Sequence, residues 1–311
     1  MPPLIVALAG GVGGAKLAHG LAQILPPEEL AIVVNTGDDF EHLGLHISPD
    51  LDTVMYTLSG IANPETGWGL RDETWNFLDA LDRLGGETWF RLGDRDLAVH
   101  VERSHRLWRG ETLTQVTAAL CAALGVGPRV LPMTDDLLRT MVQTDEGELE
   151  FQEYFVHRRC APRVSGFRFD GLAGAFPTDA VLAALHSADV IVFCPSNPFV
   201  SLDPILSLPG VRERAAQKGA VAVSPIVGGQ ALKGPAAKMF AELGLEVTAA
   251  SVAAHYGELL RGFVLDTVDA ELESAVQTET LKVLVTDTVM KTDADRARLA
   301  REVLAFAAKL Y

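Results

Sequence analysis

Cysteine is scarce in this 311-residue chain. Cys121, Cys160 and Cys194 are the only three, and no two of them form a Cys-x-x-Cys pair. Such an odd, scattered set excludes a disulfide framework and a zinc knuckle. Cys121 and Cys194 lie in apolar runs and read as inert core thiols. Positive charge is also short: 26 Lys plus Arg stand against 41 Asp plus Glu, a formal net charge of −15. That balance gives no general electrostatic reason to bind DNA, RNA or an anionic membrane, so no nucleic acid and no membrane are expected as partners. No apolar stretch reaches the ~20 residues that span a bilayer. The opening Met1-Pro2-Pro3-Leu4-Ile5-Val6 lacks the basic segment of a signal peptide, and a cytoplasmic protein is expected. Fixed-period repeats, biased tracts and Pro/Ser-rich linkers are missing too. Disorder is excluded as the main state because 48% of the residues are hydrophobic.

What is present is an alternation of short β-branched runs with amphipathic stretches, the pattern of a mostly parallel sheet covered on both faces. Strands are expected at 4–9, 31–35, 129–132, 190–194, 220–224, 246–251 and 281–286. Helices are expected at 16–24, 51–58, 113–124, 180–188, 211–218, 236–243 and 294–310. Two regions break the rhythm. Residues 63–110, rich in Trp, Gly and charge, read as a helical insertion; residues 139–175, including the alternating Phe151–Val156, read as antiparallel strands. The expected organisation is a single α/β nucleotide-binding domain over 1–311, a Rossmann-like doubly wound sheet with those two elaborations.

An acidic protein must hold a phosphate ligand locally, and the sequence offers the means. The first strand runs into Gly10-Gly11-Val12-Gly13-Gly14-Ala15-Lys16, a glycine-rich corner whose N–H groups can approach an anion at a helix N-terminus. It matches neither the dinucleotide fingerprint, since Lys16 stands at the third glycine, nor the Walker pattern. The second strand ends in Asn35-Thr36-Gly37-Asp38-Asp39, and His46-Ile47-Ser48-Pro49-Asp50-Leu51-Asp52-Thr53 follows. Capping by Ser48 and Pro49 is the plain account of part of this string. Carboxylates gathered beside phosphates nevertheless repel unless a cation intervenes, so Asp38, Asp39 and Asp50 are candidate Mg2+ ligands. Arg91 precedes Leu92-Gly93-Asp94-Arg95-Asp96. Polar loops also follow later strands: Pro132-Met133-Thr134-Asp135-Asp136, Pro195-Ser196-Asn197-Pro198 and Ser224-Pro225-Ile226. Repeated after successive parallel strands, such loops mark a ligand crevice at one sheet edge. No Gly-x-Ser-x-Gly elbow, His-Glu-x-x-His helix or kinase signature occurs. The residues alone point to a nucleotide- or diphosphate-dependent α/β enzyme.

Taken in order, these strings resemble the 2-phospho-L-lactate transferase family (CofD/FbiA) over nearly the whole chain, with Ile47-Ser48-Pro49-Asp50-Leu51-Asp52-Thr53 the most specific. The resemblance implies coenzyme F-420 biosynthesis. A phospholactyl, phosphoenolpyruvyl or phosphoglyceryl group passes from a guanosine diphosphate conjugate to the terminal hydroxyl of the deazaflavin Fo, with Mg2+ as cofactor and GMP released. It also implies a homodimer. Gly10, Gly11, Val12, Gly13, Gly14, Lys16, Ser196, Asn197 and Ser224 are then the nucleotide-binding set. Asp52 and Arg91 are the Fo-contacting pair, and Asp50 and Asp52 the catalytic carboxylates. Val12 departs from the commoner Gly-Gly-Thr-Gly form, which leaves the donor's acyl group open. Asp52 is expected on a rim loop, where Asp52→Asn leaves the fold intact. The alternative is a YvcK-like nucleotide-sugar-binding regulator without catalysis. Its Asp-Asp-Gly-Gly-Ser-Ser run is replaced here by Asp38-Asp39-Phe40-Glu41-His42.

Overall fold

The computed structural model describes residues 3–310. Seven strands form the central sheet: β1 (Ile5–Ala9), β2 (Leu30–Val34), β3 (Arg129–Pro132), β4 (Val190–Phe193), β5 (Ala220–Val223), β6 (Leu260–Asp266) and β7 (Lys282–Thr286). They lie in the order β7-β6-β5-β4-β1-β2-β3, every pair parallel. The chain winds outward from β1 to one edge and then from β4 to the other, a doubly wound α/β fold with the order reversing between β1 and β4.

The two-residue period of each strand feeds two cores. Val6, Leu8, Ala31 and Val33 face one side, and Ile5, Ala7, Ala9, Leu30, Ile32 and Val34 the other. On the second side lie α1 (Gly11–Ile24), α2 (Pro49–Leu58), α3 (Asp94–Trp108), α4 (Leu113–Ala123) and α5 (Asp293–Ala307), with α3 set outside the others. Leu17 and Leu21 of α1 are fully buried there, each contributing about 1.5–3 kcal/mol of transfer free energy. Gly20 lets α1 and α5 cross closely, since a β-carbon at that position would stand 2.2 Å from the Arg296 carbonyl oxygen. No helix among the described residues is long and apolar enough to cross a membrane.

Three expectations need correction. Residues 246–251 are not a strand: the Thr248 side chain accepts the Ser251 N–H at 3.1 Å and caps a helix, Ala249–Tyr256. Local capping and alanine content outweigh the β-branched pair there. The sheet's sixth strand is instead Leu260–Asp266, whose Arg261 and Gly262 disguise it in sequence. Residues 151–156 are also not strand. The antiparallel extension is Arg139–Thr144 paired with Gly147–Glu150 and Val164–Asp170, while 151–157 is helical with a π-type turn. Finally, α1 begins at Gly11 rather than Lys16, so the glycines form its first turns instead of preceding it. The 63–110 insertion carries Asn76–Arg83 and α3.

Candidate active site

At the reversal point the loops after β1 and β4 are bonded to each other. Ser196 Oγ accepts the Gly10 N–H at 3.1 Å and donates to the Gly10 carbonyl at 2.9 Å. Glycine is required at position 13 for this packing: a β-carbon there would stand 2.2 Å from the Pro195 carbonyl oxygen. Gly11 has a φ of +61°, a left-handed value suited to glycine, and its N–H donates to Asp50 Oδ1 at 2.6 Å.

Asn35, fully buried at the end of β2, organises the carboxylates. Its Nδ2 donates to Asp38 Oδ1 at 3.1 Å, Asp50 Oδ2 at 3.0 Å and the Val200 carbonyl at 3.2 Å. Gln152 Nε2 reaches the other oxygen of Asp38 at 3.0 Å. Burial pushes the Asp38 carboxyl well above its ordinary range, and repulsion from Asp50 and Asp39 adds to the rise. Burial likewise raises Asp50 to about 6, against the hydrogen bonds from Asn35 and Gly11. Asp39 Oδ2 accepts from Ser48 Oγ at 2.7 Å and lies 3.0 Å from His46 Nε2, while its Oδ1 is buried with no partner among the described residues.

Asp52 sits in α2, buried, and both its oxygens accept from the guanidinium of Arg103 on α3. Burial opposes the charge on Arg103, but Asp52 and its hydrogen bonds prevail and hold the guanidinium above its ordinary value. His100 lies between two carboxylates, Nδ1 3.6 Å from Asp52 and Nε2 3.3 Å from Asp96, and Tyr56 OH donates to Asp96 at 2.6 Å. Sequence reasoning assigned no site role to Asn35, Gln152, His100 and Arg103. A signal for the last two existed: Asp96, His100 and Arg103 fall at i, i+4 and i+7, one face of a helix.

Asp38, Asp50, Asp52, Asp96, His100 and Gln152 open onto one cavity of about 770 Å³ at the carboxyl edge of the sheet, while Asn35 and Arg103 hold them from outside its lining. From the expected nucleotide set, Gly10, Gly11, Val12, Gly13, Lys16, Ser196, Asn197 and Ser224 line it; Gly14 does not, and packs against Ser196. Asp38, Asp50, Asp52 and Arg91 line it as well, whereas Asp39 lies behind the wall. Arg91 Cζ stands 4.1 Å above the Trp75 ring, and Trp89, Phe90, Phe151 and Phe155 give the lining an aromatic stretch. Lys16 Nζ donates to the Met290 carbonyl at 2.9 Å, and burial, with Arg296 and Lys233 nearby, lowers its pKa. The loop 132–136 stays outside: Asp135 accepts the Thr114 N–H at 2.7 Å near the start of α4, and Asp136 the Phe176 N–H at 2.9 Å.

The donor set fits a hard divalent cation. Asp38 and Asp50 converge on one amide with no cationic partner among the described residues, and Asp39 Oδ1 is a further buried carboxylate oxygen without a partner there. Asp52, Asp96 and His100 also offer ligand atoms within 4.8 Å of one another, but Arg103 already neutralises Asp52.

The family model described as 2-phospho-L-lactate transferase CofD matches residues 5–307. A protein named phosphoenolpyruvate transferase from Streptomyces griseus is 46% identical, covering 97% of this chain and 98% of its own. A protein named 2-phospho-L-lactate transferase from Methanosarcina acetivorans is 39% identical, covering 96% and 98%. A second of that name from Methanocaldococcus jannaschii is 36% identical, covering 99% of both chains. Among solved structures, a UPF0052-family protein from Bacillus halodurans superposes with a TM-score of 0.64 at 14% identity, over 98% of this chain and 99% of that one, a likeness of fold. The chain therefore belongs to the CofD 2-phospho-L-lactate transferase family, and it is a transferase.

Proposed function

We propose that this transferase moves a phosphoenolpyruvyl or 2-phospho-L-lactyl group from a guanosine diphosphate conjugate to the terminal hydroxyl of Fo, in coenzyme F-420 biosynthesis. The observation that carries the proposal is the shared cavity: the glycine-rich corner, the Ser196-Asn197 and Ser224 loops, the Asp38–Asp50 pair and Arg91 all open onto it. Greater identity to the relative named phosphoenolpyruvate transferase supports the enolpyruvyl donor. Those names also support catalysis over the YvcK-like alternative.

In this assignment main-chain donors and Ser196, Asn197 and Ser224 hold the guanosine diphosphate. The aromatic lining, with Arg91 and the Arg103-anchored Asp52, receives Fo. Asp50 takes the proton of the attacking hydroxyl, a role open to a carboxylate that lines the cavity beside the glycine-rich corner. The new bond joins the Fo oxygen to the phosphorus bearing the acyl oxygen. The bond from that phosphorus to the GMP phosphate oxygen breaks, and GMP leaves with the electron pair. Mg2+, held by Asp38 and Asp50, would neutralise charge on the diphosphate when bound. The active unit is taken as a cytoplasmic homodimer.

Mass spectrometry of products from Fo, Mg2+ and a panel of guanylated lactyl, enolpyruvyl and glyceryl donors tests the assignment. An Fo adduct with stoichiometric GMP is expected. Binding of UDP-sugars with none of GDP or Fo would overturn it.

A further inference from the structure

One wall of the cavity is built by residues that sequence reasoning read as a strand. Phe151, Gln152, Phe155, Val156 and Arg159 line it at i, i+1, i+4, i+5 and i+8, one face of a helical segment. His157, outside the lining, stacks on the lining residue Trp89 with ring centroids 5.0 Å apart, tying this wall to the insertion.

The segment ends in an unusual way. Arg159 has a φ of 50° and Cys160 a φ of 57°, two successive residues with β-carbons in the left-handed region. Elsewhere the chain puts glycine at such helix exits: Gly60 after α2, Gly110 after α3 and Gly125 after α4, all with positive φ. An arginine there accepts a backbone cost that glycine avoids, which points to its side chain.

That side chain lines the cavity and is unengaged. Among the cationic groups of the lining, Lys16 is spent on the Met290 carbonyl, Lys233 lies 3.5 Å from the Thr66 carbonyl, and Arg91 lies over Trp75. Arg159 and Lys291 have no side-chain hydrogen bond or ion pair among the described residues. Lys291 follows Met290 and so belongs to the α1 side. Arg159 shares its wall with Gln152, which holds Asp38 at 3.0 Å.

We propose that Arg159 is the recognition residue for the carboxylate of the donor's acyl group. This rests on the transferase assignment above. Lactyl and enolpyruvyl groups both carry a carboxylate near the reacting phosphorus, and there it would meet the buried Asp38 and Asp50. A planar guanidinium offers the paired donors that such a carboxylate needs, which a lone ammonium does not.

The test is calorimetry without Fo on wild type, Arg159→Gly and Arg159→Lys, using the guanylated enolpyruvyl donor, its methyl ester and GDP, with a thermal melt of each protein and a separate turnover assay of wild type with Fo. Arg159→Gly is expected to melt higher than wild type, to bind the carboxylate donor ~10- to 100-fold more weakly, and to bind ester and GDP unchanged. Arg159→Lys should recover part of the loss. A higher melting temperature with unchanged donor affinity would reduce Arg159 to a strained helix end and overturn the proposal, as would equal losses for all three ligands. Wild type turning over with Fo while Arg159→Gly keeps its donor affinity removes the Arg159 assignment alone; wild type binding the donor no better than GDP removes both.

Discussion

Asp50 Oδ1 accepts the Gly11 N–H at 2.6 Å, so the first amide of the glycine-rich helix is engaged by a carboxylate of the same chain. The contact brings negative charge to the place where a diphosphate is expected, in a site where that charge is costly. Because Asp50 holds its proton more tightly when folded, with a pKa of about 6 against 3.8, its contribution to stability is complete below 3.8 and lost as pH rises through about 6. The loss amounts to about 3 kcal/mol for this group. Chelator-treated, ligand-free protein should therefore melt progressively lower from pH ~4 to pH ~7. Asp50→Asn should weaken that slope, melt higher than wild type at pH ~7.5 and form no product. Scanning calorimetry across pH checks it, and an unchanged slope in the variant would assign the loss elsewhere.

Asp52→Asn is expected to destabilise the protein as well as stop turnover. The rim-loop location inferred from sequence is wrong: Asp52 lies in α2, 5% exposed, and is the ion-pair partner of the fully buried Arg103. Removing one member of a buried pair leaves an uncompensated charge, at a cost of about 3–5 kcal/mol. Urea unfolding should show this loss, and the double variant Asp52→Asn/Arg103→Met should recover stability without recovering activity. A single variant as stable as wild type would mean that solvent reaches Arg103.

The strings at 10–14, 35–38 and 195–197 were legible because each sits where a parallel strand ends, and the doubly wound order brings those ends together; Asp50 and Asp52 instead follow a short antiparallel pair, Phe40–His42 with Leu45–Ile47. What stayed hidden depended on tertiary partners. Arg103 reads as one more helical arginine until α3 packs beside α2. Gln152 reads as an alternating strand residue until the segment coils toward Asp38. Thr248 shows the opposite failure, in which a local cap overrode a β-branched pair. Gly13 carries two meanings that sequence cannot separate, a phosphate turn and close packing on Pro195, and the structure shows the second directly.

Arg91→Ala should weaken Fo more than GDP. Its guanidinium is held 4.1 Å above the Trp75 ring, and removing the ring should release it. Trp75→Leu is thus expected to reproduce part of the Fo defect with Arg91 present, while GDP affinity stays within twofold of wild type, on the order expected for one exposed cation–π contact. Fluorescence titration with Fo and calorimetry with GDP separate the two ligands. Equal losses for both would place Arg91 in the general shape of the cavity instead of in Fo recognition.

Mg2+ should stabilise the protein through Asp38 and Asp50, and the pH dependence should identify them. Both carboxyls are raised by burial, so below their folded pKa values protons compete with the cation. At pH ~7.5 and a concentration a hundredfold above its Kd, Mg2+ should add about 2.7 kcal/mol of stability. That gain should fall steeply below pH 6, the value to which Asp50 is raised. Asp38→Asn should lose most of the gain while melting higher than wild type in chelator, because it removes one of three mutually repelling carboxylates, Asp38, Asp39 and Asp50. Asp39→Asn should lose less, since Asp39 lies behind the cavity wall and its Oδ2 holds Ser48. Melting curves of the three proteins with and without Mg2+ at two pH values decide it: an equal Mg2+ gain in wild type and Asp38→Asn would move the cation away from this pair.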